Sequence, residues 1–377
     1  MRSLGMLCVV LAIGAFGKGA VAQSSFRDGD LYLVSRKLHD PVLGDRPGVM
    51  RIDTATWAGT LLPFEPELSF AGRGAYDPYR DRLVLLSSGA LLMDADGVVE
   101  TLLPDAPERY EVAPTGDGRL YFYEQPNFIT YVDEDDALHT LLDQSGAAYV
   151  TPGGLSAMFW DEGTNALFLG DFKSRAGWTT VTRLTLSPDG SSIVDVRSTS
   201  FDAGSGFESP HEFSRGPGGS IMLMIYVNTN DNADRLVLLD PVTLEETTFA
   251  SPGYFGASRI RAGHYIPSRD EGVVLDQFWN QLVAYSFGES GTGEILPTLN
   301  VSALTDVERA QFVRIERACD RGADLAPPYG QLDFEDVIAF LRAFANQEPA
   351  ADLSPAYGVY DFNDVAIFLV VFVEGCG

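Results

Sequence analysis

Two groups of residues in this chain have types and spacing suited to chemistry. The first centres on Glu208-x-x-His211-Glu212, a dense polar group just ahead of an apolar run, and on Arg259-x-Arg261, whose alternation places both guanidinium groups on one side of a strand. Arg73 and Glu111 stand in comparable places ahead of two other apolar runs. Such a set would hold an anionic sugar, a carboxylate or a metal ion; the plainer alternative is a solvated rim of charge. The second group is six aspartates near the C-terminus, Asp324, Asp333, Asp336, Asp352, Asp361 and Asp364, hard carboxylate oxygens placed alike in two sets of three. Other chemistries find no support. His39, His139, His211 and His264 do not form H-E-x-x-H and no Cys/His cluster exists, so zinc is not expected. Neither G-x-S-x-G nor a phosphate-binding Gly-Lys-Ser/Thr loop is present.

The elements that must position the first group are strands. From Phe26 to about Leu299, apolar residues come in short runs bounded by Gly, Asp, Asn and Pro, without long helical periodicity. One strand type recurs six times, beginning at Gly29, Asp81, Gly118, Asn165, Gly219 and Gly272. A second type follows each and ends in an acid or serine at a turn, as in Met50-Arg51-Ile52-Asp53 and Leu236-Val237-Leu238-Leu239-Asp240. A third strand comes after the turn, as in Val98 to Leu102, and a fourth precedes several of the first type, as in Ala75-Tyr76-Asp77 and Met158-Phe159-Trp160-Asp161.

Four antiparallel strands recurring in fixed order predict propeller blades. The fold class expected is mainly β: a six-bladed β-propeller (five or seven blades being the alternatives) over residues 23–299, with a small all-α C-terminal module. A pair of β-sandwiches would not require a four-strand unit repeated in order. The turns Tyr76-Asp77 to Leu83 and Trp160-Asp161 to Leu167 resemble those of the broad family of irregular bacterial propellers, a resemblance that implies fold and not function. The first unit lacks an inner strand, so residues 300–318 are read as a linker or a ring-closing segment, with Gln311 to Arg317 the candidate, strand or helix. Propeller sites collect in the central channel where inner strands begin, which is where the first group falls. Trp57, Trp178 and Trp279 would stack on sugars or pack between blades.

Residues 323–344 and 351–372 are a tandem repeat offset by 28, identical at 13 of 22 positions. Val337, Phe340, Leu341 and Phe344, and again Val365, Phe368, Leu369 and Phe372, sit at i, i+3, i+4 and i+7, which predicts a loop and an amphipathic helix in each copy. Cys319 and Cys376 bracket this module, whose core is small. A disulfide between them would close a loop worth about 4 kcal/mol on the chain-entropy estimate. The two copies, with Cys319 ahead and a terminal Gly375-Cys376-Gly377, resemble the GC-type dockerin module over residues 319–377. That resemblance implies a calcium-linked module docking onto an extracellular cohesin-type partner. Asp324 and Asp352 match the first ligand position of its loops, and Asp336 and Asp364 the last. Ala326-Pro327-Pro328 and Ser354-Pro355-Ala356 depart from the pattern, lacking most of the intervening oxygens. Helix capping accounts for Asp333, Asp336, Asp361 and Asp364 without metal, though not for Asp324 and Asp352. The second helix is apolar without interruption from Val365 to Val373, so Ile367, Val370 and Val371 are expected to face either a docking partner or the propeller.

Composition sets the wider bounds. With 53 acids against 26 bases, the formal charge is −27, which disfavours nucleic-acid and anionic-membrane partners. Residues 1–22 read as a signal peptide: Arg2, a short apolar run from Leu4 to Phe16, and Ala20-Val21-Ala22 as the cleavage site. No later stretch has the length of a membrane span. The expectation is a secreted, extracellular or cell-surface recognition protein. Its tail anchors the propeller, which meets a glycan or small anionic ligand. The alternative is a polysaccharide-active or lactonase-like enzyme anchored in the same way. Three or more convergent carboxylates in the channel would favour the enzyme.

Overall fold

The computed structural model describes residues 26, 29–40, 44–62, 73–87, 89–103, 109–172, 178–202, 208–227, 235–250, 260–266, 271–276, 281–286, 293–295, 308–315, 325, 334–347, 351, 360 and 362–374. Among the described residues, the N-terminal region is built from six four-stranded antiparallel sheets. The first contains β1 (Leu31–Asp40), β2 (Gly44–Ile52) and β3 (Gly59–Leu61). The second is β4 (Gly74–Asp77), β5 (Arg82–Leu86), β6 (Ala90–Met93) and β7 (Val99–Leu103). The third is β8 (Arg109–Pro114), β9 (Leu120–Glu124), β10 (Phe128–Val132) and β11 (Leu138–Thr140). The fourth is β12 (Gly154–Asp161), β13 (Ala166–Phe172), β14 (Trp178–Leu186) and β15 (Ile193–Asp202). The fifth is β16 (Glu208–Arg215), β17 (Ile221–Val227), β18 (Arg235–Leu239) and β19 (Glu246–Ala250). The sixth is β20 (Ile260–Ile266), β21 (Glu271–Asp276), β22 (Gln281–Ser286) and β23 (Gly293–Ile295).

The missing inner strand of the first blade comes from the far end of the ring. β24 (Glu308–Arg314) pairs antiparallel with β1, Leu33 opposite Phe312, and completes the order β24-β1-β2-β3. The candidate closing segment is therefore a strand, and the chain is a six-bladed propeller. The inner strands β24, β4, β8, β12, β16 and β20 touch one another in that cyclic order.

Six apolar clusters explain why the strand runs show so little alternation of apolar and polar residues. Leu83 and Leu85 pack towards the first blade with Tyr32, Val34 and Val49, whereas Val84 and Leu86 pack towards the third with Val112, Leu120 and Phe122. Alternate residues serve opposite interfaces, so both faces of a middle strand must be apolar. The same holds between the third and fourth blades (Tyr121, Tyr123, Leu167, Leu169) and between the fourth and fifth (Phe168, Val181, Ile221, Leu223). Met224, Leu236, Val274 and Val283 join the fifth and sixth, and Leu31, Ile52, Val273 and Phe312 join the sixth and first. Each fully buried side chain of this kind contributes roughly 1.5 to 3 kcal/mol. Trp57, 5% exposed, belongs to this last cluster and is a packing residue. Trp279 and the side chain of Trp178 lie outside the described residues.

The recurring acid after the third strand of a blade caps the turn that follows. Asp53 accepts the backbone N–H groups of Ala55 and Thr56, Asp94 those of Asp96 and Val98, Asp133 those of Asp135 and Ala137, and Asp240 those of Val242 and Thr243. Each turn thereby satisfies donors that a two-strand ladder leaves unpaired.

In the tail, α1 (Phe334–Asn346) and α2 (Phe362–Glu374) occupy equivalent parts of the two repeat copies. Phe340 and Phe368, equivalent positions, stack with ring centroids 4.0 Å apart. Val337, Ala343, Phe344, Val365 and Phe372 pack around them. The i+4 members of the expected stripe do not join: Leu341 is 54% and Leu369 47% exposed. Two helices offer each other one narrow face, and residues a further 100° round the helix turn away from it.

Candidate functional site

Four of the inner strands carry a bulge where the chain enters them. The register shifts leave Tyr110, Ser156, His211 and Arg261 as the extra residues of β8, β12, β16 and β20. A bulge inserts one unpaired residue and re-aims its neighbours, a device common beside functional sites. Here it repeats around the channel and places Glu111 and Glu212 immediately after the bulged position.

Arg73, just ahead of β4, spans the hub. Its Nη1 donates to the His211 carbonyl at 2.9 Å and its Nη2 to the Ser156 carbonyl at 3.3 Å, while Nε lies 3.5 Å from Glu111 Oε1. One guanidinium thus reaches the third, fourth and fifth blades from the second, a span suited to its rigid fork of donors. Glu212 does the equivalent work with acceptors. Its two oxygens receive the backbone N–H groups of Gly263 on β20, at 3.1 Å, and Phe312 on β24, at 3.0 Å. His264 Nδ1 stands 4.0 Å from the same carboxylate. The circuit closes when Gln311 on β24 accepts the Gly74 N–H at 3.1 Å. Only glycine fits there, because a Cβ on Gly74 would meet the Val84 carbonyl oxygen at 2.5 Å. Ser156 Oγ donates to the Pro210 carbonyl, linking β12 to β16.

The hub is dry enough to reverse ordinary carboxylate behaviour. Burial pushes the Glu111 carboxyl up to about 7, with Arg73 pulling weakly the other way. Burial also raises Glu212 well above the usual carboxylate range, against the pull of the Gly263 and Phe312 amides and of Arg73; the charge of Glu111 adds to the rise.

Of the first group predicted from sequence, the structure brings together Arg73, Glu111, Glu212 and, through its carbonyl, His211. Glu208 opens β16 and Arg261 is the bulged residue of β20, but their side chains lie outside the described residues, as does all of Arg259. Ser156 carries no mark in the sequence, His264 enters only as a histidine outside any zinc motif, and Gln311 only as the start of the candidate closing segment. Their signal is a position relative to the bulge, which shows in strand register and not in residue type.

In the tail, Asp336 and Asp364 are fully buried in the first turns of α1 and α2. Asp336 Oδ1 accepts the Leu325 N–H at 2.7 Å, tying the preceding loop to the helix. Asp324, Asp333, Asp352, Asp361, Cys319 and Cys376 lie outside the described residues. Ile367 is half-buried, and the side chains of Val370 and Val371 are not described. Among the described residues, no three His, Cys, Asp or Glu side chains come close enough to share a metal ion.

No family profile and no curated protein matches the chain. Among solved structures, a chain of a nidogen/laminin complex is similar at 11% identity and a TM-score of 0.54, covering 75% of this chain and 98% of that one. TolB from Acinetobacter baumannii is similar at 15% identity and 0.48, covering 75% and 66%. The periplasmic gluconolactonase PpgL of Pseudomonas aeruginosa is similar at 13% and 0.43, covering 76% and 99%. At these identities the likeness is one of fold. Among the described residues, no helix is long and apolar enough to cross a membrane.

Proposed function

We propose that the chain is a secreted recognition protein, with a propeller that binds a small polar ligand at its central channel and a dockerin-like tail that anchors it to an extracellular cohesin-type partner. The observation that carries the propeller part is the commitment of the hub. Both oxygens of Glu212, both terminal nitrogens of Arg73 and the Gln311 carbonyl are spent on backbone groups of other blades. Among the described residues two carboxylates converge there, Glu111 and Glu212. One acid, Glu111, remains for a ligand.

Support for the tail part is the exposure of equivalent apolar residues in the two copies. Phe334 and Phe362 are 72% and 78% exposed, and Leu341 and Leu369 join them. Phe334 and Leu341, seven residues apart, share one side of α1, and Phe362 with Leu369 repeats this on α2. The anchoring reading is tested by titrating the full chain against a purified cohesin module, with and without calcium. Saturable binding that Leu341→Asp with Leu369→Asp removes, while helix content is kept, is the expected result. No binding in either condition would sink the anchoring part.

A second reading is favoured by Glu111 itself. A carboxyl held near neutrality is what general acid–base catalysis uses. Turnover of a lactone or polysaccharide panel that Glu111→Gln abolishes would establish a hydrolase or lyase instead.

A further inference from the structure

Resting on the channel-recognition reading, we propose that the channel binds an organic cation, a primary ammonium or guanidinium group, on the carboxyl group of Glu111. The first support is that Glu111 is an unspent acid. Its side chain is 4% exposed, yet it accepts no hydrogen bond among the described residues; the cation beside it there is Arg73, with Nε at 3.5 Å. A buried acid without donors is a cost the fold would shed by carrying glutamine or leucine there. Glu212, by contrast, has a structural reason to be present.

The second support is the chemistry of the surroundings. The carbonyls of Ser156, Pro210 and His211 are used as acceptors around the hub, and Arg73 already places a guanidinium against two of them and against Glu111. The hub therefore has the lining of a cation site, partly filled by a tethered cation. Among the described residues the hub sets two carboxyl groups against one guanidinium, and the chain's charge of −27 draws cations towards it.

The third is proton linkage. Among the described residues, the titratable groups of the hub are Arg73 ahead of β4, Glu212 and His211 on β16 and His264 on β20, of which Arg73 and Glu212 interact with Glu111, while β12 and β24 contribute the uncharged Ser156 and Gln311. Glu111 holds its proton up to about pH 7, so a cation that binds there expels it. Affinity must then climb between pH 6 and pH 8.

Calorimetric titration of the full chain with n-butylammonium and agmatine at both pH values, in two buffers of different ionisation heat, tests this. Butanol and glucose serve as uncharged controls. The expected result is saturable cation binding that strengthens with pH, releases protons and weakens by at least about tenfold in Glu111→Gln. Glutamine preserves the shape, and the variant's melting curve confirms that it folds. Failure of both cations to bind, or equal binding by Glu111→Gln, overturns the proposal. Binding of glucose that Arg73→Ala removes would also overturn the cation assignment while leaving the recognition reading standing.

Discussion

The acids of the blade turns and the acids of the hub are the same chemical groups in opposite circumstances. Asp53, Asp133, Asp143 and Asp240 lie at the solvent-washed ends of strands, and hydrogen bonds from neighbouring N–H and O–H groups hold their carboxyls below the usual range. Glu111 and Glu212 lie among the inner strands, where burial outweighs every donor and drives them upwards. The difference teaches that charge in this ring is organised by radius. Outer acids stabilise short turns cheaply because water shares the work. Hub side chains replace a covalent closure: a propeller closed by one strand from the C-terminal side has no bond across its axis, and Glu212 and Arg73 supply directional contacts that together reach all six blades. A carboxylate can do this only where the partners are fixed, and backbone amides are.

The comparison breaks most visibly at Glu212. Glu212→Ala leaves the Gly263 and Phe312 N–H groups buried without acceptors, at a cost on the order of 2 to 5 kcal/mol. The expected outcome is a melting temperature lowered by several degrees, with faster proteolysis near β24, which the carboxylate holds to the ring. A variant that melts like the wild type would mean the hub is decoration on an already sufficient set of blade interfaces.

Glu111 sharpens the comparison with the opposite sign. Its folded-state pKa is raised to about 7 from an ordinary 4.5. The folded protein therefore keeps a proton the unfolded chain has lost, and stability falls as pH rises from about 4.5 through 7, then levels. The loss is about 3 kcal/mol at full extent. Glu111→Gln has no such proton, so it is expected to melt above the wild type at pH 8 and close to it at pH 5. Thermal scans from pH 4.5 to 8.5 check this. Parallel curves for the two proteins would show that Glu111 is ionised at little cost, and the distinction between hub and rim would collapse.

Legibility in the sequence followed the same radius. The blade count was visible because each turn acid is local: Asp94 bonds residues two and four places on, so its effect is written in adjacent letters. Glu111 and Glu212 were found as polar residues ahead of apolar runs, but nothing local says that Glu212 binds Phe312, 100 residues away. The hub roles of Ser156 and Gln311 are hidden in the sequence because they depend on register, and a serine or glutamine at a strand entrance looks like any solvated residue. Leu341 and Leu369 misled for the reverse reason. Periodicity names an apolar stripe, whereas the number of available neighbours decides how wide a stripe is covered.

The smallest expected effect lies on the rim. Asp189 accepts from Ser187 and from Ser191, by both its hydroxyl and its backbone N–H, which holds its carboxyl at about 2. A depressed carboxylate contributes stability above its unfolded value and loses it as pH falls from about 4 through 2, the mirror image of Glu111. Asp189→Asn keeps an acceptor oxygen in the turn and removes the titration. The variant is expected to be slightly less stable than the wild type at pH 7, and the gap should close as pH falls to 2. Its curve between pH 5 and 8 should run parallel to the wild type's, because the hub is untouched. If Asp189→Asn also changed the alkaline limb, the rim and hub would be electrostatically coupled across the blade. Glu111→Gln and Asp189→Asn combined in one chain separate the cases: independent sites give additive curves, each substitution altering only its own limb.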